Sequence, residues 1–152
     1  MSTEDFRLDA LLKLRKKEAN LQQGKMNACI RRLEEQRQEM DRTNQEYNAV
    51  VTVLREEDQI GAILSELMVH RRYLERMRDL AKQQGELSDA LAADLEQVRG
   101  HVIEAIQRCR AVEKLKERFV ERESERAERS EQRFVDAETS ARIAAVIQAE
   151  SA

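Results

Sequence analysis

The stretch of sequence that decides the fold lies at residues 47–74 and reads YNAVVTVLREEDQIGAILSELMVHRRYL. Before this stretch, apolar residues recur every seven positions from Leu12 to Leu54. The same frame carried further would bring Gly61 and Glu75, which favour solvent, into the apolar set. Apolar order returns when the frame shifts by one residue. The stretch therefore separates two apolar seams, and the shift between them needs a structural cause.

Each seam consists of two sets of positions, with a spacing of seven residues inside each set. The first seam contains Leu12, Ala19, Met26, Leu33, Met40, Tyr47 and Leu54, with Leu8, Arg15, Gln22, Cys29, Gln36, Thr43 and Val50. The second seam contains Leu67, Leu74, Ala81, Ser88, Leu95, Val102 and Cys109, with His70, Met77, Gln84, Leu91, Val98, Ala105, Val112 and Phe119. An apolar repeat that averages 3.5 residues is typical of a coiled-coil helix.

A hairpin turn explains the shift of frame. The polar segment 56–61 ends at Gly61, which can take a left-handed conformation after a helix end at little cost. The sequence has no proline, which suits long uninterrupted helices. We therefore predict an all-α fold, a long antiparallel two-helix coiled-coil hairpin. The alternative is one continuous helix that skips a residue.

The predicted hairpin is a single domain over residues 1–152. Helix one covers about residues 3–57, the turn about 58–61, and helix two about 62–148. If the helices fold back on each other, Leu12 lies beside Cys109 and helix one runs out near Phe119. Helix two is expected to overhang after about residue 119. Cys29 then lies level with Leu91, which excludes an intramolecular disulfide with Cys109.

The overhang carries a stripe of arginines. Residues 118–133 read RFVERESERAERSEQR, with five arginines and five glutamates. At about 100° per residue, the arginines fall within about 80° of arc. They are Arg118, Arg122, Arg126, Arg129 and Arg133. Such a stripe suits acidic or carbonyl-rich protein surfaces, because guanidinium groups make several oriented hydrogen bonds. The alternative interpretation is a solvated helix held by pairs between its own charges.

Catalytic and ligand-binding motifs are missing from the sequence. It has no phosphate-binding glycine loop, no HExxH and no CxxC, and His70 and His101 lie too far apart on one helix to share a metal. We expect no enzyme, no cofactor and no metal. With 27 basic and 30 acidic residues, nucleic-acid binding is not expected either. No apolar run is long enough for a membrane span, and the start has no secretory signal, so a reduced cytoplasmic setting is expected.

Two segments resemble the family of FliJ-type flagellar export proteins. Residues 6–15, FRLDALLKLR, look like that family's N-terminus. Residues 112–118, VEKLKER, and the charged run that continues to Asp136 resemble its C-terminal signature. Ala137 departs from the pattern, in which an acidic pair is expected. Length, lack of proline and the long-helix hairpin also agree, so the resemblance covers nearly the whole chain.

The resemblance implies a central stalk of the flagellar type III protein export apparatus, which serves motility and chemotaxis. Implied partners are the hexameric export ATPase, the export gate membrane protein and export chaperones. The implied location is cytoplasmic, peripheral to the inner face of the cell membrane and reached only through partners. The implied ATPase-binding residues are Leu11, Lys13, Arg15, Arg118, Arg122, Arg126, Arg129 and Arg133. The implied gate-binding residues are Tyr73, Met77, Leu80 and Gln84, for each of which ordinary packing is an equal alternative.

Other functions remain open at this point. The equivalent stalk of a virulence type III injectisome is the nearest alternative, and a generic coiled-coil adaptor is another. A prefoldin-like holdase is disfavoured, because the short polar turn leaves no room for the β-strands that such proteins use for assembly. A nucleic-acid-binding helix is disfavoured because the glutamates beside the arginines would repel phosphate.

Overall fold

The computed structural model describes residues 3–61 and 63–151 and consists of two helices. Helix α1 covers Thr3–Ile60 and helix α2 covers Leu64–Glu150, with no strand among the described residues. The helices run in opposite directions, since Arg78 Nε donates to the Tyr47 hydroxyl at 3.1 Å and Gln36 Nε2 donates to the Gln84 carbonyl at 3.4 Å. The predicted all-α two-helix hairpin is therefore confirmed, and the alternative of one continuous helix is wrong.

The turn lies later in the chain than the sequence predicted. Residues 58–60, which were predicted to form the turn, continue α1 as far as Ile60, and α2 begins at Leu64 instead of residue 62. The reason is that the left-handed conformation falls on Gly61, whose φ is 79°, and the Gly61 N–H still donates to the Glu57 carbonyl at 3.1 Å. A polar segment does not by itself end a helix, whereas a left-handed glycine does.

The hairpin divides into two compact units. Unit 1 contains Met1–Lys17 and Ile106–Ala152, and unit 2 contains Glu18–Ala105. In each unit, every predicted seam position is buried or half-buried, including the polar ones. The most buried apolar side chains all lie at seam positions: Leu33, Met77, Leu95, Val102, Ala105, Cys109 and Val112. The period of seven therefore identifies the core of both units.

Unit 2 has a polar layer inside its seam. Thr43 is buried and its hydroxyl donates to the Glu39 carbonyl at 3.0 Å. Gln36 donates to the Gln84 carbonyl, but Gln84 Oε1 is buried without a hydrogen-bond partner in the described part of the chain. A buried polar atom without a partner costs about 1–3 kcal/mol. Apolar packing in the seam is therefore interrupted where Gln36 meets Gln84.

Unit 1 holds the start of α1 against α2. Cys109 and Val112 are buried, and Lys116 forms an ion pair with Asp9. A second ion pair joins Lys16 Nζ to Glu113 Oε1 at 3.8 Å. Beyond this paired part, every residue from 121 to 151 is exposed. Helix α2 thus continues for about 30 residues with all its side chains open to solvent.

Candidate interaction surfaces

Histidines and cysteines do not assemble into a chemical centre. His70 is half-buried and its Nε2 lies 3.3 Å from Glu57 Oε1, while His101 is exposed. Both cysteines are free thiols, Cys109 in unit 1 and Cys29 in unit 2. Over residues 3–61 and 63–151, no group of three or more His, Cys, Asp or Glu side chains could hold a metal ion. In the same residues, neither helix has a segment apolar enough to cross a bilayer.

The predicted arginine stripe lies on the exposed part of α2 and at its base. Arg126 Nη1 lies 2.9 Å from Glu123 Oε1, and Arg129 Nη2 lies 3.3 Å from Glu125 Oε2. The side chains of these two arginines remain 75% and 73% exposed. Exposed pairs of this kind contribute about 0–1 kcal/mol, so a partner's carboxylate can replace the glutamate at little cost. The structure is compatible with both interpretations of the stripe. Pairs with glutamates of the same helix form, as expected for a solvated helix, and the guanidinium groups stay accessible, as a partner-binding surface requires.

A groove at the base of the stripe joins the predicted arginines to the start of α1. It has a volume of about 410 Å³. Its apolar part comes from Leu8, Leu115 and Phe119, and its rim from arginines. The lining residues are Arg7, Leu8, Leu115, Arg118, Phe119 and Arg122.

The remaining predicted residues at the start of α1 have unequal access to solvent. Lys13 is exposed, and Leu11 and Arg15 are half-buried. On the other side of the same helix pair, Leu12 lies with Glu113, Lys116 and other residues around a second open groove. In unit 1, the first groove thus combines apolar side chains with arginines, whereas the charged lining of the second is mainly acidic, from Glu113, Glu117 and Glu121.

Unit 2 has a row of exposed apolar side chains on α2. Tyr73 and Leu80 are each 41% exposed. Met77 is only 6% exposed because it lies in the seam, and Gln84 is half-buried. A partner that contacts unit 2 here would meet Tyr73 and Leu80 first.

Comparison with known proteins gives one result that decides the family. The sequence model of the flagellar FliJ protein family matches residues 4–146. The chain belongs to the FliJ family. Searches of curated proteins and of solved structures find no match. The family match covers both seams and the exposed part of α2, and it agrees with the resemblance carried by the two ends of the sequence.

The sequence predicted the buried seam more completely than the accessible surfaces beside it. It missed Arg7, Leu115 and Phe119 as neighbours of the stripe, although Leu115 lies seven residues before Arg122 on the same side of α2. In unit 2 it missed Leu87, which is 50% exposed. The signal was present, since Tyr73, Leu80 and Leu87 are spaced by seven, one position outside the seam.

Proposed function

We propose that this FliJ-family protein is the non-enzymatic central stalk of the flagellar type III export ATPase complex. The observation that carries the proposal is the arginine stripe, which lies on the exposed part of α2 and at its base, where it shares a groove with the start of α1. A row of guanidinium groups on one face of an exposed helix suits a partner that presents acidic side chains and carbonyl groups to that face. The proposed partner is the hexameric export ATPase.

In this role, unit 1 would bind the ring. Acidic side chains and carbonyl groups of the ring would accept hydrogen bonds from Arg118, Arg122, Arg126, Arg129 and Arg133. The pairs of Arg126 and Arg129 with their own glutamates would be exchanged for pairs with the ring. The apolar part of the groove, together with Leu11, Lys13 and Arg15, would add contact at the base. Binding would favour assembly of the ring, which the stalk would couple to the export gate.

In the same proposal, unit 2 would face the export gate membrane protein through Tyr73, Met77, Leu80 and Gln84. Tyr73 and Leu80 could make that contact directly. Met77 and Gln84 would support it from the seam, because their side chains are largely enclosed. The protein would also cycle empty export chaperones, and it would stay cytoplasmic and reach the membrane only through its partners.

The proposal is tested by reversing the charge of the stripe. Replacing Arg122, Arg126 and Arg129 by Glu should abolish stimulation of the cognate export ATPase, because the ring would then face like charges. The helical content by circular dichroism should stay unchanged, since all three side chains are exposed. The measurement is the rate of ATP hydrolysis at rising stalk concentration.

A matched control makes the same type of change in unit 2. Arg31, Arg55 and Lys82 are exposed, and their replacement by Glu should leave stimulation intact. Full stimulation by the stripe variant would contradict the proposal and favour a generic coiled-coil adaptor. Equal loss in both variants would also contradict it, because net charge alone would then explain the effect.

A further inference from the structure

An apolar row in unit 2 lies beside the seam but outside it. Tyr73, Leu80 and Leu87 are 41%, 41% and 50% exposed. Each follows the previous one by seven residues, which advances about 10.5 Å along a helix. Side chains repeated at this spacing align along one edge of a coiled coil, as seam residues do. The row therefore has the geometry of a helix-packing edge whose side chains are still accessible.

The contact between Arg78 and Tyr47 shows which side of α1 adjoins the apolar row, because Arg78 lies on the opposite side of the α2 seam from the row. Arg78 lies about 70° from the centre of the α2 seam, whereas Tyr73 and Leu80 lie about 70–90° from it in the other direction. Arg78 contacts Tyr47 of α1, with its guanidinium carbon 5.8 Å from the ring centre. The contact fixes which side of α1 adjoins Arg78, and therefore which side of α1 adjoins the apolar row.

The α1 residues on the side of the apolar row are Val53, Glu46 and Glu39. They too are spaced by seven residues. The contact between Tyr47 and Arg78 sets the level of the helices, so that Val53 lies level with Tyr73, Glu46 with Leu80, and Glu39 with Leu87. All three are exposed. One edge of unit 2 thus has an apolar row on α2 and two carboxylates on α1.

Two arginines lie next to this edge. Arg42 donates to Glu39 Oε1 at 2.8 Å from the outer flank of α1, with its side chain 67% exposed. Arg76 is exposed on the outer flank of α2. The side of the row that faces α1 is thus bordered by Glu46 and by Glu39, which is paired with Arg42, and the outer side is bordered by Arg76. A protein helix can direct cationic side chains only to the side that faces α1, where the glutamates lie, whereas an anionic lipid surface would meet the glutamates as well as the arginines.

We propose that this edge binds one amphipathic helix of a partner protein. The helix would place apolar side chains, repeated at heptad spacing, on Tyr73, Leu80 and Leu87, and it would direct Lys or Arg side chains towards Glu39 and Glu46. A helix fits better than an extended segment because the exposed row repeats at the advance of two helical turns. The inference names the partner chemistry for the gate-facing surface of the proposed function and rests on that function for the partner's place in the export complex.

The test uses a designed probe and the full-length chain. The probe is a peptide of about 21 residues, three heptads, with Leu at the two seam positions and Lys at the flanking positions. A second peptide differs only in having Glu at the flanks. We expect the Lys-flanked peptide to bind at least about tenfold more tightly than the Glu-flanked one, as measured by fluorescence anisotropy.

Variants of the chain locate the binding. Leu80→Glu should weaken binding of the Lys-flanked peptide at least about tenfold, whereas Leu21→Glu, at another exposed leucine of unit 2, should leave it unchanged. The double variant Glu39→Lys with Glu46→Lys should reverse the preference between the two peptides. If Leu80→Glu loses helical content, Leu87→Gln replaces it.

Several results would overturn the inference. They are absence of binding by the Lys-flanked peptide, equal loss in Leu21→Glu, and an unchanged preference after the double charge reversal. Sedimentation of the chain alone tests whether a second copy of the chain covers the edge instead. If the chain self-associates and Leu80→Glu abolishes the association, the second copy is the occupant and the inference is wrong. ATPase stimulation should be unaffected by Leu80→Glu, so failure here is distinguishable from failure of the stalk proposal.

Discussion

The paired and exposed parts of α2 contain similar apolar side chains and use them differently. Val102, in unit 2, is 5% exposed, whereas Val146, in unit 1, is 56% exposed. The exposed part even holds the consecutive residues IAAVI at positions 143–147. Burial on α2 therefore depends on whether α1 lies opposite, since Ile147 continues the seven-residue spacing of Phe119 and is still 58% exposed. The paired part of α2 carries the stability, and the exposed part is available for partners.

The largest effect should come from a charge placed at each of these two valines. Val102→Asp would bury a carboxylate in the seam without a partner, and we expect a loss of about 3–5 kcal/mol in the free energy of unfolding. Val146→Asp makes the same change at an exposed position, where we expect less than about 0.5 kcal/mol. Urea unfolding followed by circular dichroism at 222 nm measures both.

The two aspartate variants test directly whether the stability comes from the part of α2 that packs against α1. Similar losses in both would mean that the exposed part of α2 is packed against something in solution, such as a second copy. Small losses in both would mean that the seam contributes little to folding. Either result would mean that the paired and exposed parts of α2 do not differ in their contribution to stability.

The sequence predicted the seam because, where two helices lie side by side, the seven-residue spacing decides which side chains are buried. Arg15 and Gln22 are half-buried like their apolar neighbours, since their position in the heptad puts them between the helices. The turn was predicted a few residues early because its polar composition resembles a loop. The left-handed backbone of Gly61 is what ends α1, and composition does not reveal which of several polar residues will stay helical.

The candidate surfaces were harder to predict for a different physical reason. Arg7 and Arg122 line the same groove because the start of α1 lies level with that part of α2, and the sequence does not fix this level to within a few residues. Met77 was assigned to a gate-binding surface although its seam position predicts burial. Heptad position decides which side chains of this region a partner can touch.

A smaller effect should distinguish the turn from the paired helix. Gly61→Ala places a side chain at a positive φ of 79°, and we expect destabilisation by about 1 kcal/mol. Gly100→Ala lies inside α2, with no atom within 4 Å of the added carbon, and should stabilise by about 0.5–1 kcal/mol. Thermal and urea unfolding of both variants provide the measurement, and the same sign for both would refute the assignment of Gly61 as the residue that ends α1.

The smallest effect should come from the ion pairs of unit 1. Arg142 Nη2 lies 2.7 Å from Glu138 Oε1, with the side chains 78% and 49% exposed, so Arg142→Ala should cost less than about 0.5 kcal/mol. Lys116 and Asp9 are only 33% and 30% exposed, and Lys116→Ala should cost about 1 kcal/mol because it leaves the Asp9 carboxylate half-buried without this cation. Raising the salt concentration to about 0.5 M should remove the first effect and leave most of the second, because screening is weaker for partly buried charges. Equal salt sensitivity in urea unfolding would mean that the ion pair with α1 is as open to water as the pair on the exposed part of α2.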